Sequence, residues 1–124
     1  MSSLLQAIDH VQLAAPINSE DTAREFYHDV LGLSEIEKPL PLRKRGGVWF
    51  QWGQVAIHIG IEEPFTPQKK AHPAFQVKHL NDLKEHLRVS DIPFIEDDRL
   101  PGADRIYVSD PFGNRLEFLE WKNK

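Results

Sequence analysis

Four side chains of the types that bind a divalent cation recur at matching places along this chain of 124 residues: His10 in IDHVQLA, His58 in VAIHIGIE, His72 in AHPAFQV and Glu117 in NRLEFLE. Each stands in a short apolar run, where an imidazole or a carboxylate is costly to bury unless it is paired or ligating. His58 follows His10 by 48 positions (10 to 58) and Glu117 follows His72 by 45 (72 to 117), so the chain reads as two similar halves that contribute two ligands each. With no cysteine present, a bound metal has only nitrogen and oxygen donors available, and three imidazoles with one carboxylate suit Zn, Ni, Mn, Co or Fe. The other histidines, His28, His79 and His86, have no counterpart across the halves and fall on or beside predicted helices, so they are expected to be structural or exposed.

The elements that must position these residues follow from hydrophobic period and turn chemistry. A strand is predicted from Ile8 to Ala15, stopped by Pro16, then a helix capped by Asn18 or Ser19 with Ala23, Phe26, Tyr27, Val30 and Leu31 on one face and Gly32 as its stop. Strands at Ser34 to Lys38, Val48 to Trp52 and Val55 to Ile61, separated by Gly46-Gly47 and Gly53-Gln54, complete a βαβββ module over about residues 5–62. Glu62 to Lys70, with Pro64 and Pro67, forms a linker. The order then repeats over about residues 71–122: a strand at His72 to Val77, a helix at Asn81 to Val89, and strands at Pro93 to Glu96, Arg105 to Ser109 and Arg115 to Trp121. The last two are joined by Asp110-Pro111-Phe112-Gly113-Asn114, where Gly and Asn can take positive φ. The predicted architecture is one α+β domain of two βαβββ modules whose cupped, mixed or antiparallel sheets surround a central cavity.

Side chains two apart on a strand share a face. His10 then lies with Gln12 and Ala14, His58 with Ala56 and Gly60, His72 with Ala74 and Gln76, and Glu117 with Arg115 and Leu119. Parity alone leaves Glu117 either in water or in the cavity, and its alignment with His58 favours the cavity. Trp49, Phe50 and Trp52 are expected to be core, with a stacking surface for a ligand as the alternative.

Composition narrows the function. Charged residues are 27% and hydrophobic ones 40%, as in a folded protein, and a net charge of −4 gives no support for nucleic-acid binding. Arg43-Lys44-Arg45 is the one dense basic run and reads as a solvated loop, or else as a clamp for an anionic group. No apolar run approaches the ~20 residues that cross a bilayer and no leader is evident at MSSLLQAIDH, so a cytoplasmic protein without a membrane partner is expected.

IDHVQLA followed by DTAREFYHDVLGL, and later YVSDPFGNRLEFLE, resemble the opening and closing motifs of the vicinal oxygen chelate superfamily, over essentially the whole chain. That group includes glyoxalase I, extradiol dioxygenases, fosfomycin-resistance proteins, methylmalonyl-CoA epimerase and bleomycin-binding proteins. The resemblance implies that His10, His72 and Glu117 are metal ligands, and that His58 occupies a fourth ligand position where glyoxalase I carries a carboxylate or glutamine. It also implies a homodimer in which the ligands of one site come from different chains.

The chemistry implied is chelation of a small substrate through two adjacent oxygens on a divalent metal, with lyase or isomerase outcome. Glu117 would serve as base if it leaves the metal, Gln12 and Gln76 would hold substrate, and Arg105 and Arg115 flank it. Tyr107 and Arg105, in RIYVSDP, resemble the segment before the closing motif of extradiol dioxygenases, which gives Tyr107 a catalytic role; the packing alternative is a cross-strand contact. Two further readings stand beside the first: a ring-cleaving dioxygenase, and a metal-free protein that binds or sequesters a small molecule.

Overall fold

Alternation sets the first strand: along β1 (Val11–Ala15), Leu13 and Ala15 are buried while Gln12 and Ala14 face the other way. The computed structural model describes residues 2–122, in two compact units that divide between Pro64 and Phe65. In unit 1, β1 is followed by α1 (Glu20–Ala23), which runs on as a π-helical stretch over Arg24–Val30, and then by β2 (Ser34–Ile36). The widened turn shows in Leu31 N–H donating to Phe26 O (3.0 Å), five residues back, and Gly32 ends the helix at φ 79°. Neither expected cap acts as one: Ser19 donates to the Pro16 carbonyl and Asn18 takes a left-handed conformation, φ 65°. A 3-10 helix, Leu40–Arg45, opens at Pro39 and was not expected from the sequence.

β3 (Val48–Trp52) and β4 (Val55–Ile61) form a hairpin closed by Gly53-Gln54, with Trp52 opposite Val55. The sheet order is β1-β4-β3-β2, with β1 parallel to β4 and the other pairs antiparallel. Its covered face carries Leu13, Ala15, Val48, Phe50, Ile57 and Ile59, packed with Phe26 and Tyr27 of the helix. Only Phe50 of the three expected core aromatics is buried. Trp49 is half-buried on the opposite face and Trp52 is 67% exposed at the hairpin tip.

Unit 2 repeats the order with β5 (Ala74–Gln76), α2 (Leu80–Val89), β6 (Ile95–Asp97), β7 (Ala103–Ser109) and β8 (Arg115–Trp121), paired β5-β8-β7-β6. β5 is parallel to β8 and the rest antiparallel, so both sheets are mixed and the class is α+β. Asp91, at φ 58°, ends α2 in the left-handed conformation that Gly32 takes in unit 1. The closing hairpins differ. The loop from Asp110 to Asn114 is five residues long, and only Gly113 has positive φ (93°), whereas Asn114 is 1% exposed. Asp110 Oδ1 accepts from the backbone N–H groups of Phe112 (2.9 Å) and Asn114 (2.8 Å), which fixes the loop from inside.

Candidate functional site

Pairing begins later on β1 and β5 than the β-branched content implied. β1 starts at Val11 and β5 at Ala74, so His10 and His72 stand in the lead-in segments just before their strands. In that position each ring is turned by a local contact, and the two contacts match. His10 Nδ1 donates to Asp9 Oδ1 (2.9 Å); His72 Nδ1 donates to the Lys69 and Lys70 carbonyl oxygens (3.1 and 3.0 Å). Because those partners are acceptors, each Nδ1 carries a hydrogen, which leaves Nε2 as the ring nitrogen available to another group.

In unit 1 the His10 ring lies against His58. The His10 and His58 rings stack with centroids 4.0 Å apart and planes within 17°, and Trp49, opposite His58 on β3, stacks on His58 at 3.7 Å and 3°. His58 thus sits between an indole and an imidazole and is 8% exposed. Burial pushes its pKa below the ordinary imidazole value, and the neighbouring His10 adds to the shift, so the ring is held neutral, the form that ligates. Gln12 reaches across the sheet to Gly60: a Cβ there would stand 2.3 Å from Gln12 Nε2. A small concavity of about 230 Å³ opens beside them, lined in part by Gln12, Lys38, Arg45 and Trp49.

In unit 2 the partner of His72 is Glu117. Nε2 lies 3.0 Å from Oε1, and the other carboxylate oxygen accepts from Arg105 Nη1 at 3.4 Å. Glu117 is 7% exposed, so of the two orientations that parity allowed, water is excluded. Leu116 and Phe118 are buried as well, because β8 is covered on both faces. Arg105 also donates to Asp97 Oδ1 (3.1 and 3.2 Å), and Asp97 in turn holds Arg99, whose hydrogen bonds keep the Asp97 carboxyl well below the usual carboxylate range. Tyr107 lies opposite Glu117, meets the His72 ring edge-on at 5.7 Å, and has the guanidinium carbons of Arg105 and Arg115 at 5.3 and 5.1 Å from its centroid. Gln76 pairs in register with Leu119 and stays exposed.

The predicted site residues therefore gather in two groups: His10, Gln12 and His58 in unit 1, and His72, Arg105, Tyr107, Arg115 and Glu117 in unit 2. Among the described residues no three His, Asp or Glu side chains group to hold a metal ion. Sequence reasoning missed Trp49 as the platform for His58, although its place opposite His58 across a two-residue hairpin was readable. It also missed Asp97 and Asp9, whose roles depend on side-chain direction.

The donor set fits a divalent cation. Within unit 2, Nε2 of His72 and Oε1 of Glu117 stand 3.0 Å apart, a spacing that a shared proton satisfies as an N–H···O hydrogen bond and that a bridging dication can satisfy in its place. Their separation is that of two neighbouring ligands at bond lengths of about 2.1 Å. The tie of each His Nδ1 to an oxygen acceptor is the support that metal-bound histidines carry.

The comparisons with known proteins agree with this architecture. The family model described as Glyoxalase/Bleomycin resistance protein/Dioxygenase superfamily matches residues 7–118. A crystal structure from Bacillus anthracis, described as of the glyoxalase family, is 51% identical, with a TM-score of 0.94 over 98% of this chain and 100% of that one. A lactoylglutathione lyase from Agrobacterium tumefaciens is 24% identical (TM-score 0.76, 97% of each chain), and a fosfomycin resistance protein from Listeria monocytogenes is 18% identical (TM-score 0.72, 94% of each chain); both share the fold. No curated protein matches the sequence. No helix among the described residues is long and apolar enough to cross a membrane. With nearly its whole length matched, the chain belongs to the Glyoxalase/Bleomycin resistance protein/Dioxygenase superfamily.

Proposed function

We propose that this protein is a divalent-metal-dependent enzyme of glyoxalase type that acts as a lyase or isomerase on a small substrate with two adjacent oxygens. The observation that carries the reading is the His72–Glu117 contact: a histidine whose Nδ1 is tied to two backbone carbonyls places its Nε2 3.0 Å from a buried carboxylate oxygen. His10 and His58 supply the second pair of donors, and the homodimer is the assembly proposed to bring a pair from unit 1 to a pair from unit 2. When bound, a dication supplies Lewis-acid polarisation of the substrate oxygens.

The chain's own groups do the rest. Glu117 is the one carboxylate of the four, so it carries the charge that attracts the cation and the basicity that accepts a substrate proton at Oε1 or Oε2. Arg105 holds Oε2 in place and is itself fixed by Asp97, which keeps the carboxylate from rotating away from His72. Tyr107 and Arg115 border the position a substrate would take next to Glu117, and Gln12 offers an amide on the same side of β1 as Ala14.

A second reading, a metal-free small-molecule binding protein, draws on the lack of any three-ligand group among the described residues. Titration of chelator-treated protein with Zn, Ni, Mn and Fe(II) decides between them. Saturable binding to about one equivalent per chain is expected, and a flat response to all four metals would leave the binding protein as the better account.

A further inference from the structure

Beside Glu117, unit 2 carries a groove of about 440 Å³ whose lining is one-sided in charge. Lys69, Arg99 and Arg115 face it against the single carboxylate of Asp97. That carboxylate is already engaged by Arg99 and Arg105. Lys69 and Arg115 have no acidic partner among the described residues, and the Arg115 guanidinium lies over the Tyr107 ring. In a protein with a net charge of −4, two unpaired cations on one groove are not a consequence of composition. Their neighbours are apolar: Pro93, Phe94, Ile95 and Val108 line the same groove, and Ile95 is 70% exposed.

We infer that this groove takes the anionic end and the apolar body of a small organic oxyanion, a carboxylate or a phosphate ester, and that this is the substrate class of the enzyme. A guanidinium with free N–H groups offers the two parallel donors that such an oxyanion accepts, the lysine adds a second positive charge, and the exposed Ile95 and half-buried Phe94 cover an apolar group that water would otherwise surround. Connection to the reacting centre is direct. Arg115 lies two residues from Glu117 on the same strand, Tyr107 pairs with Glu117 across β7 and β8, and Lys69 lends its carbonyl to His72. The assignment of the anion as substrate rests on the proposed function; its binding does not, and the test keeps the two apart.

Isothermal titration of the chelator-treated full-length protein with benzoate, phenyl phosphate and neutral benzamide tests it. At least one charged probe is expected to bind at least about tenfold more tightly than benzamide. Benzoate alone identifies a carboxylate substrate and phenyl phosphate alone a phosphate one. Arg115→Gln should weaken that probe about tenfold and the exposed Lys69→Gln severalfold, with metal affinity by chelator competition unchanged in both. If neither charged probe outperforms benzamide, or if both variants bind it as the parent does, the inference is wrong even where metal binds. If the probes bind as expected but no metal does, the groove stands and the metal-dependent reading falls.

Discussion

Replacing Glu117 by glutamine keeps the shape of the side chain and removes the only negative charge among the four candidate ligands. In the metal-free protein the change should be tolerated. The amide oxygen can still accept from Arg105, the amide N–H can donate to the His72 lone pair, and Arg105 keeps Asp97. Replacing the carboxylate by an amide in these two bonds, while Arg105 keeps its charge, then costs about 1–3 kcal/mol. Metal binding should suffer far more. Loss of a group that merely supports a ligand lowers metal affinity ~10–100-fold, and loss of the anionic ligand itself belongs at the upper end, about 100-fold. At a free zinc concentration 100 times the parent dissociation constant, linkage stabilises the parent by about 2.7 kcal/mol and the variant by about 0.4 kcal/mol. For a chain of this size that is a zinc-induced rise in Tm of about 8–13 °C for the parent and about 1–2 °C for Glu117→Gln. Differential scanning fluorimetry with and without zinc reads both numbers, and circular dichroism checks the fold. A variant that keeps the parent's zinc-induced rise would remove Glu117 from the ligand set and with it the main support for a metal site in unit 2.

His58→Gln, which removes a neutral donor, should lower metal affinity less than Glu117→Gln does; chelator competition on the two variants would refute this by giving the reverse order. Gly47→Ala should destabilise strongly, since a Cβ at φ 90° would stand 2.1 Å from the Ile59 carbonyl oxygen, whereas Gly60→Ala should melt near the parent because only the movable end of Gln12 is in the way. Comparable urea midpoints for the two alanine variants would contradict that contrast. Asp97 is held below the ordinary 3.8, so its contribution to stability is present above that pH and lost as pH falls below it. The stability difference between parent and Asp97→Asn should be widest near neutrality and shrink below about pH 4, and a difference independent of pH would show that Arg99 and Arg105 do not stabilise the carboxylate.

The long strands were legible because their signals are local. β3, β4 and β8 run over the predicted residues, bounded by the Gly46-Gly47, Gly53-Gln54 and Asp110–Asn114 turns. The edge strands were not, since Ile8 and His72 have the composition of strand residues but lie outside the span that pairs with β4 or β8, and pairing is a tertiary fact. The π-helical stretch hid for another reason: Phe26, Tyr27 and Val30 show the same apolar spacing whether the backbone bonds close over four residues or five. At the site, residue types and spacing pointed to all four candidate ligands, and the structure pairs them within each half. The tautomer-fixing contacts of Asp9, Lys69 and Lys70, the Trp49 platform and the Asp97 brace on Arg105 depend on side-chain directions that no spacing encodes.

The indole of Trp49, lying 3.7 Å from the His58 ring, gives unit 1 a built-in optical signal. An excited indole is sensitive to the electron demand of whatever is stacked upon it, and a neutral imidazole makes little demand compared with one that has gained a proton or ceded its lone pair to a metal. Trp49 emission therefore follows the charge state of His58 directly. Trp52, 67% exposed at the hairpin tip, and Trp121 emit as well, so the signal from His58 is read on protein in which those two are replaced by phenylalanine.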